Sequence, residues 1–578
     1  MFTAALANEG YKQVFGHDRM VDFYDTIKNN TSIALTCGKN SSAAFQIVVF
    51  PDCDGVLSVD GTSPFSYYGD VPNFRIKVEI DGGFDIKLSP VDYVCDDGGL
   101  YKADIILPTG SVLLKKDITQ PVYIEIPVGK DATSGTYSGT LKLYRHSRFD
   151  NEELFMEFSF TLTIKDVVIP DLKASSFHLD LWQHCCNIAR KHEASYWSDR
   201  HFEILEGYVK SLADLGQKAV TVIASEIPWS GQHCYRTPGY PSDMFEYSMV
   251  RVRKTDGGFT YDYSAMQKYI DLCFKYGIDA EIEVFGLMNI WLGDEGFDGP
   301  ETDFPDAIRI RYFDETDGCY KYMRSSADIE NYIKSLEKYF LDTGLIDKVL
   351  VAADEPGDVE KYRKSLSKIK EIAPNFKFKA ALNHTEFLDE FSSEVITDIV
   401  PLLNCVSRQW DLLKKHMENR TGRTLWYVCC TPAYPNTFIG SALAESRLIP
   451  ILTHFMGFDG FLRWNYTVWP ENPRERLSYK APNWSAGDTN FVYPSRSGDV
   501  LLSLRYKCLK RGLEDYALLE MAKEKGINLD ELYDKVIKTR NISDFDLPVS
   551  LKKPEELFSI DYNDYEEMRN LIFDALEG

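Results

Sequence analysis

The chain has 578 residues, which is too long for one ordinary domain, and its apolar fraction of 44% is enough for more than one sizeable core. It carries 64 basic and 88 acidic side chains, so its formal net charge is −24. This charge repels phosphate backbones and anionic membranes, which disfavours nucleic-acid and lipid-surface roles and leaves neutral substrates open. No apolar run approaches the length of a membrane span, so we expect no membrane insertion.

The twelve cysteines show no metal-ligand spacing and are scattered among apolar residues, as buried thiols in a reducing compartment are. Two pairs, Cys185-Cys186 and Cys429-Cys430, are vicinal, and neighbours on a strand point to opposite faces, so we expect no bridge within a pair. The first twenty residues lack an apolar signal segment, which predicts a cytoplasmic protein. The histidines also lack metal-ligand spacing, so we predict no metal and no cofactor.

In chain order, the first predicted unit is a β-sandwich over residues 1–170. Short β-rich runs are separated there by Gly, Asp, Asn and Pro, which is typical of an antiparallel sandwich. The runs Thr136–Tyr144 and Leu154–Ile164 alternate with period two around a polar turn and predict a hairpin. No cluster of ionisable residues in this unit indicates a site.

From Ser175 the pattern becomes strand, helix, strand, helix, with apolar residues of the helices at i, i+3, i+4 and i+7. The predicted strands are Phe177–Trp182, Ala219–Ala224, Ala280–Phe285, Val349–Ala353, Phe378–Leu382, Cys405–Arg408, Leu425–Cys429 and Gly460–Trp464. This count predicts a (β/α)8 (TIM) barrel over residues 171–500. An open doubly wound sheet is the alternative, but no glycine-rich phosphate loop follows any strand. For residues 501–578, the sequence predicts a charged helical extension packed on the barrel.

The run Val349–Ala353 ends in two adjacent carboxylates, Asp354 and Glu355, before a Pro-Gly breaker. A strand that is apolar throughout is buried on both faces, and a barrel gathers its catalytic groups at the carboxyl ends of such strands. The alternative is a polar loop that opens the next helix. Acids, amides and aromatic residues also follow the other strands: Trp182, Glu226, Asn383, His384, Gln409, Trp410, Asn465 and Tyr466. Such a lining suits a polyhydroxylated ligand.

Adjacent carboxylates cannot flank a glycosidic bond from opposite sides, since a retaining pair needs about 5–5.5 Å and an inverting pair about 6.5–9.5 Å between facing groups. They suit substrate-assisted hydrolysis of a 2-acetamido sugar instead. Asp354 would orient the acetamido N–H as an ionised carboxylate, while Glu355 would protonate the leaving oxygen. The proximity of Asp354 would raise the pKa of Glu355 and so favour its protonated form.

From the acidic pair onward, the order of motifs resembles glycoside hydrolase family 123, the retaining β-N-acetylgalactosaminidases and their relatives. The similar segments are Asp354-Glu355-Pro356, Leu425-Trp426-Tyr427-Val428-Cys429-Cys430-Thr431-Pro432, Gly460-Phe461-Leu462-Arg463-Trp464-Asn465-Tyr466, Gly487-Asp488-Thr489 and Leu504–Leu519. The resemblance covers about Ser175 to Leu519. It implies a β-sandwich before a catalytic barrel, and an oxazoline-type intermediate formed with Asp354 and Glu355.

With the strand ends, the resemblance yields a set of predicted substrate-binding residues. They are Trp182, Asn383, His384, Trp410, Trp426, Tyr427, Tyr434, Trp464 and Asn465. We expect Trp464 to lie under the sugar ring and either Tyr427 or Tyr434 to donate to the acetamido carbonyl. The implied partner is a glycan with a terminal N-acetylhexosamine, most directly β-linked N-acetylgalactosamine of the glycosphingolipid type.

Two other functions are compatible with these residues. One is a glycosidase of another specificity, either a β-N-acetylglucosaminidase or an enzyme that uses a remote second carboxylate such as Glu226 or Glu283. The other is a carbohydrate-binding protein without activity, against which the two intact acids argue. Long loops that carry Trp229, Tyr235, Tyr240 and Trp291 follow the second and third strands and could contact a ligand. The oligomeric state does not follow from the sequence.

Overall fold

The computed structural model describes residues 2–15, 24–60, 71–147, 150–228, 245–288, 308–390, 396–469 and 484–578. The aromatic loop residues Trp229, Tyr235, Tyr240 and Trp291 lie outside these ranges. Within them, the chain forms an N-terminal pair of β-sheets, a parallel α/β barrel and a set of C-terminal helices.

The N-terminal unit consists of two six-stranded sheets. The first contains, in spatial order, Thr3–Asn8, Ser41–Phe50, Gln120–Val128, Lys87–Cys95, Tyr101–Ile106 and Val14–Phe15. The second contains Ser32–Lys39, Glu153–Val168, Gly135–His146, Asn73–Ile80, Gly55–Ser58 and Ser111–Leu114. The predicted hairpin is confirmed, because Gly135–His146 pairs antiparallel with Glu153–Val168. The sandwich is not wholly antiparallel, since Ser32–Lys39 runs parallel to its neighbour Glu153–Val168.

Eight parallel strands form the barrel, which confirms the predicted fold class. They are His178–Leu181, Ala219–Ile223, Glu281–Phe285, Val349–Asp354, Lys377–Leu382, Asp398–Pro401, Leu425–Tyr427 and Gly460–Arg463. The second to sixth strands form one sheet, and the first, eighth and seventh form another. Parallel bridges between Leu402 and Tyr427 and between Leu179 and Gln217 join the two sheets, so the ring of strands closes.

The sixth strand is Asp398–Pro401, and the predicted strand Cys405–Arg408 is wrong. Residues Leu403–Arg408 form a helix in which the Val406 N–H donates to the Leu402 carbonyl at 3.0 Å. A short apolar run has the same appearance in a buried strand and a buried helix, and periodicity cannot separate the two. As a consequence, Gln409 and Trp410 do not follow a barrel strand.

Helices connect most of the barrel strands. They are Cys185–Lys191, Asp199–Asp214, Ser264–Lys275, Ser326–Asp342, Val359–Ile372, Glu386–Glu390, Leu403–Arg408, Trp410–Asn419 and Leu443–Met456. Short strand pairs also occur in the connections, at Ile227–Pro228, Phe245–Glu246, Arg251–Thr255, Gly258–Asp262, Arg311–Asp314, Cys319–Tyr322, Tyr493–Pro494 and Val500–Leu501. No helix of the described residues is both long and apolar enough to span a membrane.

The C-terminal helices pack against both the barrel and the sandwich. They are Leu504–Glu524, Asp530–Val536, Leu547–Ser550, Pro554–Leu557 and Tyr562–Glu577. Arg447 of the last barrel helix pairs with Asp515 at 2.6 Å, and both side chains are fully buried. Arg511 reaches the sandwich, where it pairs with Glu9 at 3.0 Å. Removing one partner of such a buried pair leaves an uncompensated charge, so these pairs fix how the parts dock.

Candidate active site

The fourth barrel strand, Val349–Asp354, brings both predicted acids to the carboxyl end of the barrel. Its residues are buried up to Ala353, while Asp354 and Glu355 are partly exposed. Glu355 has a φ of +46°, in the left-handed region that residues other than glycine rarely adopt. Its N–H still donates to the Ala381 carbonyl at 3.0 Å. Because of this left-handed φ, the alternation of side chains along the strand stops at Glu355. The side chains of Asp354 and Glu355 therefore need not point to opposite faces of the sheet.

Side chains from two other strand ends hold the Glu355 carboxyl group. Tyr427, the last residue of the seventh strand, donates its hydroxyl to Oε1 of Glu355. Asn383, directly after the fifth strand, donates Nδ2 to Oε2 at 2.9 Å. Burial and the charges of Glu355 and Asp354 hold the pKa of the Tyr427 hydroxyl well above its usual value, so it stays a donor. Both acids therefore lie near this hydroxyl.

The surroundings of Glu355 favour its protonated form. Burial raises the pKa of Glu355, and the charge of Asp488 raises it further. The hydrogen bonds from Tyr427 and Asn383 and the charge of His384 lower it, but the pKa stays above its ordinary value. A carboxyl group that keeps its proton near neutral pH can serve as a general acid.

Asp488 is the residue of the site whose role the sequence did not indicate. It is fully buried, and its Oδ1 accepts from Arg463 Nη2 at 2.8 Å and from Trp464 Nε1 at 3.3 Å. Burial raises the pKa of Asp488 to about 6. Its segment was among the matching motifs, but it lies in a connection after the last barrel strand, where no strand-end rule applies. Asp488 therefore contacts two side chains at the end of the eighth strand, Arg463 and Trp464, and its charge raises the pKa of Glu355.

The predicted residues of the first and eighth strands lie together. Trp464 is nearly buried, with its ring centroid 5.6 Å from that of Trp484 and 6.4 Å from that of His184. Asn465 donates Nδ2 to the Asp488 carbonyl at 2.6 Å. Trp182 is buried edge-on against Phe285 at 4.9 Å, and its carbonyl accepts from the Tyr466 N–H at 2.9 Å. His384 follows Asn383, and its side chain is 45% exposed.

Two tryptophans predicted to bind the sugar have packing partners in the structure. Trp426 is fully buried and donates Nε1 to Oγ1 of Thr453, on the surrounding helix, at 2.7 Å. Since neighbours on a strand point to opposite faces, Tyr427 takes the inner position and Trp426 the outer one. Trp410 begins a helix and packs 5.9 Å from Phe458, a residue that precedes the eighth strand. Trp426 therefore faces away from the barrel interior, whereas the sugar-binding role of Trp410 stays a prediction.

The hydroxyl of Tyr434 has a hydrogen-bond partner in the C-terminal extension. Its hydroxyl donates to the Lys552 carbonyl at 2.6 Å, and its ring lies 6.5 Å from that of Phe558. Both partners belong to the C-terminal extension. Of the two tyrosines that the sequence left open, Tyr427 is the one that donates a hydrogen bond to Glu355.

The remote carboxylates have partners of their own. Glu226 pairs with Arg311 at 2.6 Å. Glu283 lies opposite Leu350, four residues below Asp354 along the fourth strand, and pairs with Lys379 at 2.7 Å. The Lys379 ammonium also contacts Asp180 at 2.6 Å and Glu281 at 2.9 Å. Although oxygens of these three acids lie within 4.8 Å of one another, as metal ligands would, the lysine supplies the cation.

Comparison with known proteins agrees with this geometry. The model of the glycoside hydrolase 123 catalytic domain matches residues 182–522. The chain belongs to glycoside hydrolase family 123. The resemblance inferred from the motifs is therefore confirmed, and the protein is a glycoside hydrolase.

The solved structure of a family 123 enzyme supports the fold. A family 123 glycoside hydrolase from Clostridium perfringens, described for glycolipid glycan hydrolysis, has a TM-score of 0.73 over 100% of this chain and 98% of its own, at 19% identity. A GH5-4 endoglucanase from Clostridium longisporum has a TM-score of 0.31 over 60% of this chain and 99% of its own, at 8% identity. Among curated proteins, no sequence matches significantly.

Proposed function

We propose that this family 123 enzyme is an exo-acting, retaining β-N-acetylgalactosaminidase that uses the acetamido group of its substrate as the nucleophile. The observation that carries the proposal is the adjacent pair Asp354 and Glu355, with Glu355 held by Tyr427 and Asn383. The substrate class follows the family and the C. perfringens relative, which acts on glycolipid glycans. We therefore infer terminal β-linked N-acetylgalactosamine on glycosphingolipid-type oligosaccharides.

In the first step, Glu355 donates its proton to the glycosidic oxygen as the acetamido oxygen attacks the anomeric carbon. The aglycone leaves as an alcohol, and the sugar becomes an oxazolinium ion, which is the N-protonated oxazoline. Asp354 accepts the acetamido N–H and stabilises the positive charge that develops on this group. In the second step, the ionised Glu355 takes a proton from water as the water oxygen opens the oxazoline. The two attacks together retain the β configuration.

The Tyr427–Glu355–Asn383 contacts suit both steps. A hydrogen bond from Tyr427 stabilises the ionised carboxylate that the second step requires, whereas burial favours the protonated acid of the first step. Asn383 fixes the orientation of the carboxyl group through Oε2. General acid catalysis contributes roughly 10²–10⁴-fold, provided that the acid is positioned in this way.

The experiment that tests the proposal compares three aryl glycosides: β-N-acetylgalactosaminide, β-N-acetylglucosaminide and β-galactoside. We expect hydrolysis of the first, weaker hydrolysis of the second and none of the third, since the galactoside lacks the nucleophile. A thiazoline analogue of the cyclic intermediate should inhibit competitively, and NMR should show the β-anomer as the first product. Turnover of the galactoside, or release of the α-anomer, would overturn the mechanism.

A further inference from the structure

Cys429 and Cys430 form a close pair of thiols directly after the strand that carries Tyr427. Their Sγ atoms lie 3.9 Å apart. The expectation that these vicinal side chains point to opposite faces is wrong, because the strand ends at Tyr427. The Cys429 N–H donates to the Thr431 carbonyl at 3.0 Å, which makes a tight turn in which strand alternation no longer holds.

The separation of the two sulfur atoms fits metal chelation better than a disulfide. Adjacent Cα atoms are about 3.8 Å apart, which is below the usual range of about 4.4–6.8 Å for disulfide-bonded cysteines. In a tetrahedral site, two zinc–sulfur bonds of about 2.3 Å place the sulfur atoms about 3.8 Å apart. The observed 3.9 Å therefore corresponds to one edge of such a tetrahedron.

Accessibility and charge also favour a cation at this position. Cys430 is exposed and Cys429 partly exposed, so an ion can reach the pair from solvent. The contact with Cys430, burial and the negative charges of Glu355 and Asp488 all raise the pKa of the Cys429 thiol. A cation at the thiol pair would be attracted by the ionised forms of these carboxyl groups and would stabilise those forms.

The turn that carries the pair is held in place. Asn436 donates Nδ2 to the Cys429 carbonyl at 3.0 Å and to the Pro432 carbonyl at 2.7 Å. Its N–H donates to the buried Glu445 at 2.8 Å. Chelation therefore requires little rearrangement of the backbone, which lowers the entropic cost of binding.

We propose that Cys429 and Cys430 chelate one thiophilic divalent cation, such as Zn²⁺ or Cd²⁺, at the rim of the active site and that the bound ion inhibits the enzyme. Two thiols and one M²⁺ give two M–S bonds and release two protons to solvent, and water fills the remaining positions. The charge of Glu355 acts on the Cys429 thiol, so the positive charge of a bound ion favours the ionised carboxylate, and Glu355 is then lost as the acid. Binding of the metal does not depend on the proposed function, whereas inhibition by the metal rests on it.

Cadmium titration of the full-length, reduced protein tests the binding. We expect a cadmium–thiolate absorption band in the ultraviolet that saturates at one ion per chain. Cys430→Ser should remove the band, whereas Cys319→Ser, at an exposed cysteine on the strand Cys319–Tyr322, should keep it. A wild-type protein without the band, or an unchanged band in Cys430→Ser, would overturn the site.

Activity measurements test the inhibition. Micromolar Cd²⁺ or Zn²⁺ should inhibit the wild type and Cys319→Ser alike, and EDTA should restore activity. Cys430→Ser should keep its basal activity and need at least tenfold more metal for the same inhibition. Equal sensitivity of both variants would overturn the inhibitory role. If the wild type hydrolyses no N-acetylhexosaminide at all, the proposed function fails, but the cadmium titration still decides the metal site.

Discussion

Tyr427 donates its hydroxyl to the same carboxyl group, that of Glu355, to which Asn383 donates from the other side at 2.9 Å. The hydrogen bond favours the ionised form of Glu355, whereas burial and the charge of Asp488 favour the protonated form. The protonation state of the acid is therefore a balance of opposing contributions from different strands. Each contribution to the pKa of Glu355 can be removed separately by one substitution.

Tyr427→Phe removes a hydrogen bond to the ionised form of Glu355, so its pKa should rise further. Because the acid acts in its protonated form, the alkaline limb of kcat/KM should move to higher pH. A hydrogen bond to a charged group contributes about 1.5–3 kcal/mol, so a shift of about one to two pH units is expected. The pH profile of kcat/KM measures it, and a limb that stays or moves to lower pH would contradict the role of Tyr427.

Asp488→Asn should shift the same limb in the opposite direction. The substitution removes a negative charge that raises the pKa of Glu355, so the limb should move to lower pH. Asparagine still accepts hydrogen bonds from Arg463 and Trp464, which keeps the geometry. The Arg463 guanidinium is left buried without its counter-ion, so we also expect a loss of about 3–5 kcal/mol in the free energy of unfolding.

The Asp488→Asn profile is therefore recorded below the unfolding temperature of the variant. The double variant with Tyr427→Phe is a control, because the two opposite shifts should largely cancel. A shift of the Asp488→Asn limb to higher pH would show that Asp488 acts on Glu355 in some other way.

Glu355→Gln and Asp354→Asn should differ in their dependence on the leaving group. Glu355→Gln should lose about 10²–10⁴-fold in kcat/KM with an alkyl or sugar aglycone, which needs a proton to leave. With a dinitrophenyl aglycone, which needs none, most of that loss should disappear. Asp354→Asn should impair both substrates, because orientation of the acetamido group is needed in either case. Equal losses for Glu355→Gln on both substrates would be inconsistent with its role as general acid.

Much of the barrel could be predicted from the sequence, since a strand that is buried on both faces, such as Val349–Ala353, is apolar throughout. The sixth strand could not. Asp398–Pro401 is short, and the apolar residues that follow belong to the helix Leu403–Arg408. Local composition does not distinguish these two environments, which depend on how neighbouring strands pair.

The acid pair and Asn383 could be predicted because they follow strands directly, and the barrel gathers strand ends at one face. Trp426 could not, because one residue along a strand reverses the face of the side chain. The position of Asp488 and the short distance between the thiols of Cys429 and Cys430 depend on loop geometry. Loop geometry leaves no periodic pattern in the sequence. Asp488 is brought to the site by Gly487, whose φ is +85° and whose missing Cβ would lie 2.7 Å from the Ile439 nitrogen.

Lys379 and Glu283 distinguish the proposed mechanism from one with a remote second carboxylate. Burial and the charge of Asp180 raise the pKa of Glu283 well above its usual value, so Gln is a close neutral replacement. Glu283→Gln should keep kcat/KM within a few-fold of the wild type, whereas Asp354→Asn should lose it by orders of magnitude. Lys379→Met should instead leave Asp180 buried without its cation, although Glu281 keeps Arg423 at 2.5 Å, and should lower the free energy of unfolding by about 3–5 kcal/mol. Chemical denaturation measures the second effect, and a Glu283→Gln variant that folds normally but has lost activity would favour the remote carboxylate.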